Sequence, residues 1–196
     1  MIKKELIQEL RELTSLGMMD CKKALEETDG NVEKAIELLR KKGALVAAKR
    51  ATKTTSEGII HAYIHPGDRL GVMVEINCET DFVARTDAVK NLAKDLCMHI
   101  AAAKPLYVTP QEVDINFLEH EKSILKEQLA GSGKPAKMLD QIIEGKINKL
   151  YSEICLLNQQ FIKNDQQTVQ DAVNDVIAKT GENIVIKRFA RFELSA

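Results

Sequence analysis

A chain of 196 residues carrying 28 Lys and Arg against 29 Asp and Glu can bury a sizeable core, and its formal charge of -1 excludes the global basic field that non-specific nucleic-acid binding requires. Four cysteines, Cys21, Cys78, Cys97 and Cys155, stand singly among apolar neighbours without a CxxC pair, which points to free thiols in a reducing, cytoplasmic setting. The opening MIKKELIQELREL breaks its apolar residues with charges, which excludes a signal peptide or membrane span there, and the absence of tryptophan gives weight to any exposed phenylalanine.

Leu6, Leu10 and Leu13, with Ile2 and Ile7, recur at helical spacing until Thr14–Gly17 interrupts them. A second helix spans Met18 to Glu27, Asp29-Gly30-Asn31 makes a turn, and a third helix carries Val32, Ala35, Ile36 and Leu39, with Gly43 as its expected terminator. These three helices read as a small bundle, and ALVAAKRATKTTSEG, with Lys49, Arg50 and Lys53, reads as a solvated linker that is helical at most at its start.

From Gly58 the period becomes two. Ile60, Ala62 and Ile64 alternate, Pro66-Gly67 turns the chain, and Leu70, Val72, Val74, Ile76 and Cys78 alternate strictly, so a hairpin with one buried and one wetter face is expected. Ala88, Val89, Leu92, Ala93, Leu96 and Ile100 mark an amphipathic helix that covers it. Thr109-Pro110-Gln111-Glu112 starts a short helix or turn, and two longer helices follow on either side of AGSGKPA, the second tolerating Gly145 at a cost of roughly 1 kcal/mol. Thr168 caps a further helix that ends near Gly181. In IVIKRFARFEL, Ile184, Ile186 and Phe192 alternate with Lys187 and Arg191, which predicts a third strand against the hairpin. The expected fold is α+β: a bundle and linker over 1–54, then a core over 55–196 with a hairpin at 58–78, helices within 86–180 and a final strand at 184–194.

Few constellations carry chemistry. Gly131-Ser132-Gly133-Lys134 fails as a P-loop, because Gln128 stands where the first glycine belongs and Pro135 where Ser or Thr belongs; it reads as a connector between helices. Of His61, His65, His99 and His120, the first two share a strand face but lack further ligands at metal spacing. No Ser or Cys has an identifiable base, so no enzyme, cofactor or metal is expected. Leu16-Gly17-Met18-Met19 is a loop of the kind that either presents an apolar patch to a partner or fills a bundle core.

The stretch EINCETDFVAR, residues 75–85, places an aromatic between a strand and a helix. Two readings are open from the residues alone. Thr80 or Asp81 caps a helical turn and Phe82 closes over the core as a staple, or Phe82 is a wedge held outward by a rigid hairpin with a carboxylate beside it.

EINCETDFVAR, together with LRELTSLGMMDCKKAL at Leu10–Leu25, resembles the bacterial elongation factor Ts family, with weaker agreement through CLLNQQFIKN and GENIVIKRFARFEL. The resemblance implies a ubiquitin-associated-like amino-terminal bundle before an α+β core. It further implies that the chain promotes nucleotide exchange on elongation factor Tu, and that Thr80, Asp81, Phe82 and Val83 are the segment that dislodges Mg²⁺ from that partner. The bundle would add a second contact through Leu10, Arg11, Thr14, Gly17, Met18, Met19 and Asp20. The chain has room for one core, like the short members of the family, which implies a homodimer; open sheet edges supply a physical motive. Arg85 and Thr86 stand where lysine and asparagine are common, which bears on the conformation after the wedge. The competing reading is a non-exchange adaptor with a ubiquitin-associated-type bundle.

Overall fold

The computed structural model describes residues 2–14, 16–129 and 135–194. Helices α1 (Lys4–Thr14), α2 (Met18–Glu27) and α3 (Val32–Arg50) close over Leu10, Cys21, Ala24, Leu25, Ala35 and Leu39; of the expected stripes Leu10, Ala35 and Leu39 are buried, whereas Leu13 is exposed. Asn31 starts α3 as its cap, its side chain accepting the Lys34 N–H at 2.9 Å.

Gly43 does not end α3. It is buried in mid-helix, where a Cβ would lie 3.5 Å from that of Ala178, so its small size serves close helix packing. The segment expected to be a solvated linker is therefore helical to Arg50, whose guanidinium pairs with Glu79 at 3.5 Å.

Strands β1 (Glu57–Ile64), β2 (Leu70–Cys78) and β5 (Ile184–Glu193) form an antiparallel sheet in the order β1-β2-β5. Between β2 and β5 in sequence run α4 (Asp81–Ala84), α5 (Asp87–Ala103), α6 (Ile115–Leu129), α7 (Ala136–Ile154), a small ribbon of β3 (Gln160–Phe161) and β4 (Asn164–Thr168), and α8 (Val169–Thr180). The chain is thus α+β, with eight α-helices among the described residues. The Gly131–Lys134 connector lies outside those residues. The expected short helix or turn after Thr109 is a 3₁₀ turn, Pro110–Glu112, and the β3–β4 ribbon is not anticipated from the sequence.

The core joins Val72, Val74, Ile76 and Cys78 of β2 to Val89, Leu96 and Ile100 of α5 and to Val169, Val173 and Ile177 of α8. Two strands run out of phase with the expectation. In β1 it is Ile59, His61 and Tyr63 that turn inward, while Ile60, Ala62 and Ile64 are exposed. In β5 the pairing slips between Ile186 and Arg188, so that Ile184 and Ile186 face the core but Phe192 faces outward. Arg191 takes the inner side and donates to the Ala101 carbonyl at 3.3 and 3.4 Å.

His99 is 1 % exposed and holds the ribbon to α5. Its Nδ1 accepts the Ile162 N–H at 3.2 Å, so its Nε2–H donates to Gln159 Oε1 at 2.9 Å. Burial, only partly offset by Gln159, pushes the imidazole below its ordinary pKa and keeps it neutral.

Candidate partner-binding site

Beyond the last rung of the sheet, where Cys78 pairs with Ile184, the chain leaves β2 and makes one helical turn before α5. Thr80 caps that turn, its hydroxyl oxygen accepting the Val83 N–H at 3.4 Å. Thr86 caps the next helix by accepting the Val89 N–H at 3.4 Å, and its hydroxyl donates to the Val83 carbonyl at 2.7 Å. Threonine at position 86 therefore fits the bend after the segment.

A four-residue helix shows its faces within a single turn. Ala84 is buried and Val83 packs against the core, while the Phe82 ring is 80 % exposed. The staple reading of Phe82 is thus overturned, although the capping half of that reading holds for Thr80. Asp81 lies beside the ring and pairs with Arg85 at 3.0 Å. Both side chains are substantially exposed, so the pair adds little to stability and leaves the carboxylate open to competing donors.

The base of the turn is held from two sides. Cys78 Sγ–H donates to the Thr80 carbonyl at 3.2 Å, and burial, reinforced by Glu182 and Glu57, pushes this thiol up so that its proton stays in place. Opposite, Glu182 accepts both the Thr80 N–H at 3.0 Å and the Thr80 hydroxyl at 2.7 Å. Glu79 returns the contact by accepting the Asn183 N–H at 2.7 Å, and Asn183 Nδ2 donates to the Lys53 carbonyl at 2.9 Å. Gly181, at φ 73°, closes α8 and turns the chain into this clasp. Glu79 falls within EINCETDFVAR and Glu182 and Asn183 within GENIVIKRFARFEL, but no local pattern in either stretch relates the two sides of this clasp.

The bundle presents a second surface. Met18 and Met19 are 56 % and 61 % exposed, so they do not fill the core; Arg11 and Met18 line a groove with Ile7, and Gly17 and Asp20 lie at the surface beside it. Leu10, by contrast, is fully buried, and Thr14 spends its hydroxyl proton on the Leu10 carbonyl at 2.7 Å. These two support the surface from beneath instead of forming it.

His61 sits on the inner side of β1, whereas His65 lies past the strand end with Nδ1 2.9 Å from the Tyr63 hydroxyl. Among the described residues there is no group of three or more His, Cys, Asp or Glu side chains placed to hold a metal, and no helix is long and apolar enough to cross a membrane.

The family model described as Elongation factor TS matches residues 2–195 of this chain. Elongation factor Ts of Caldanaerobacter subterraneus subsp. tengcongensis is 54 % identical over 193 residues, 98 % of this chain and 96 % of its own length. That of Carboxydothermus hydrogenoformans is 54 % identical over 99 % of this chain and 89 % of its own length, and that of Syntrophus aciditrophicus 54 % over 96 % and 94 %.

Proposed function

The chain belongs to the elongation factor Ts family, and on that premise we propose that it is the guanine nucleotide exchange factor for elongation factor Tu in translation elongation, acting through Thr80, Asp81, Phe82 and Val83. The observation that carries this reading is the Phe82 ring, 80 % exposed on a turn that is capped, clasped and anchored in the core. An apolar ring held in water by a stiff mount has its burial energy in reserve for a partner pocket, about 1.5 to 3 kcal/mol.

Mg²⁺ belongs to the nucleotide site of the partner. It demands near-octahedral geometry, so a small displacement of the groups around it weakens nucleotide binding steeply. The Phe82 ring enters the partner beside that site, while Asp81 exchanges its Arg85 pairing for donors on the partner. Binding is reciprocal: a factor that weakens GDP is itself weakened by GDP, and GTP expels it, so exchange is accelerated without a chosen direction. The groove of Arg11 and Met18 adds the second contact, raising affinity by tethering.

A homodimer completes the proposal. The outer face of the sheet runs in rows, Ile60-Glu75-Arg188, Ala62-Met73-Ala190 and Ile64-Gly71-Phe192, and is largely apolar. A second copy of the chain covers such a face by packing sheet on sheet.

The test is the release of labelled GDP from elongation factor Tu under catalytic amounts of this protein. Release accelerated by the parent chain, and largely lost in Phe82→Ala while complex formation persists, is expected. Complex formation without acceleration by the parent chain overturns exchange and favours the adaptor.

A further inference from the structure

We infer that Glu182 is a positioning residue for nucleotide exchange, setting the direction of the Phe82 ring by fixing the Thr80 hydroxyl; the inference rests on the wedge reading above. A threonine hydroxyl has one proton to donate and two lone pairs with which to accept. In this structure the proton goes to Glu182 Oε1 at 2.7 Å, and the same carboxylate takes the Thr80 N–H on Oε2 at 3.0 Å. With its proton committed, the hydroxyl turns a lone pair to the Val83 N–H at 3.4 Å, which is the cap of the turn. Without the carboxylate the hydroxyl is free to rotate, and its cap bond competes with water.

The placement of this contact separates it from the work of holding the fold. The sheet is complete at the Cys78–Ile184 pair, and Val83 and Ala84 already fasten the turn to the core. Glu182 acts one step beyond both, on the Thr80 backbone N–H and hydroxyl that open the turn. It is itself held by its neighbour, since Asn183 donates its N–H to Glu79 at 2.7 Å and its side-chain amide to the Lys53 carbonyl at 2.9 Å. Two chain segments more than 100 residues apart thus exchange carboxylates: Glu182 serves Thr80, and Glu79 serves Asn183. A mount fixed from both sides spends little ordering entropy when the ring enters its pocket, and loss of alignment at a reacting site lowers the rate more than the affinity.

The experiment is stopped-flow release of labelled GDP from elongation factor Tu over a range of factor concentrations, with thermal melting of each variant in parallel. In Glu182→Ala we expect the maximal release rate to fall about tenfold, with the half-saturating concentration and the melting temperature near those of the parent. Glu182→Gln, whose amide oxygen accepts the Thr80 N–H and whose NH₂ donates to one lone pair of the hydroxyl while the other still accepts the Val83 N–H, keeps the hydroxyl from rotating and is expected to recover most of the rate. A folded Glu182→Ala that reaches the parental maximum overturns the inference. So does a loss confined to the half-saturating concentration, which would make Glu182 a contact and not a mount, and so does a Gln variant no better than Ala. Should Glu182→Ala fail to fold, Glu182→Asp decides. It keeps the charge but draws the carboxylate back by one methylene; a lowered maximum supports the inference and a parental one overturns it. Phe82→Ala run alongside separates the two levels. If Phe82→Ala releases GDP at the parental rate, the wedge reading falls and this inference with it; if Phe82→Ala is slow and Glu182→Ala is parental, only the positioning role falls.

Discussion

Phe82 and Val83 are consecutive on a single helical turn, yet the ring stands 80 % exposed while the isopropyl group packs on the core beside Ala84. Adjacent residues therefore divide exposure from core packing. Truncating the exposed ring removes little buried area, so Phe82→Ala should leave stability within about 0.5 kcal/mol of the parent while abolishing most nucleotide release. Val83→Ala deletes two half-buried methyl groups and should cost roughly 1 kcal/mol in denaturant unfolding. A Phe82→Ala protein that melts well below the parent would show that the ring is structural after all.

His99 links stability to pH. Its folded pKa is depressed by burial below the ordinary 6.5, and both ring nitrogens are already engaged, so a second proton would meet the Ile162 N–H. The contribution of the neutral ring is complete above the unfolded value. It declines as pH falls below about 6.5, because the unfolded chain takes up the proton first, with a slope of at most about 1.4 kcal/mol per pH unit. Urea unfolding between pH 8 and pH 5 should show this fall in the parent and a smaller one in His99→Gln, which carries no titrating group there. Equal slopes in the two proteins would remove His99 as the cause.

The core helices α5 and α8 were legible because each buries one stripe at the apolar spacing of the sequence, and α8 carries its cap, Thr168, and its stop, Gly181, in the expected places. So was β2, where the inward residues alternate with Gly71, Met73, Glu75 and Asn77. The phase of β1 was not, since both of its faces are apolar and the more apolar set, Ile60, Ala62 and Ile64, is the outer one. Phe192 misled for a related reason: the slip after Ile186 reverses the strand, and a single unpaired residue leaves no mark in the alternation. At the site, the Thr80 cap was readable from local chemistry, whereas the Thr80–Glu182 clasp joins residues that no local pattern relates.

Gly43 carries two signals that look alike in sequence, a helix stop and a close helix approach, and the structure assigns the second. The sign of a substitution follows from distance. A Cβ at this position would meet Ala178 at 3.5 Å and the Asn174 carbonyl oxygen at 3.8 Å, both ordinary contacts. Gly43→Ala should therefore be tolerated and gain up to about 1 kcal/mol in helix propensity. Gly43→Leu has no such space and should cost about 1 to 3 kcal/mol by prising α3 from α8. Thermal melting of the two variants should move in opposite directions; a destabilising alanine would place the helices closer than 3.5 Å implies.

Met73 lies at the centre of the outer sheet face, between Ala62 and Ala190, and is half exposed. If two copies pack through this face, a two-fold axis brings any change at position 73 into the contact twice. Met73→Glu then buries two like charges in an apolar seam and should sediment as a monomer with parental helix content, while Met73→Leu, which keeps volume and polarity, should remain dimeric. Association of this kind needs no covalent link. Cys21, Cys78, Cys97 and Cys155 are all free and buried, and burial pushes the Cys97 and Cys155 thiols up to about 11, far from the thiolate form that exchanges disulfides. The parent dimer should therefore survive excess reductant unchanged in sedimentation. A parent chain that sediments as a monomer at micromolar concentration, or a dimer that reductant dissolves, would refute packing through this face.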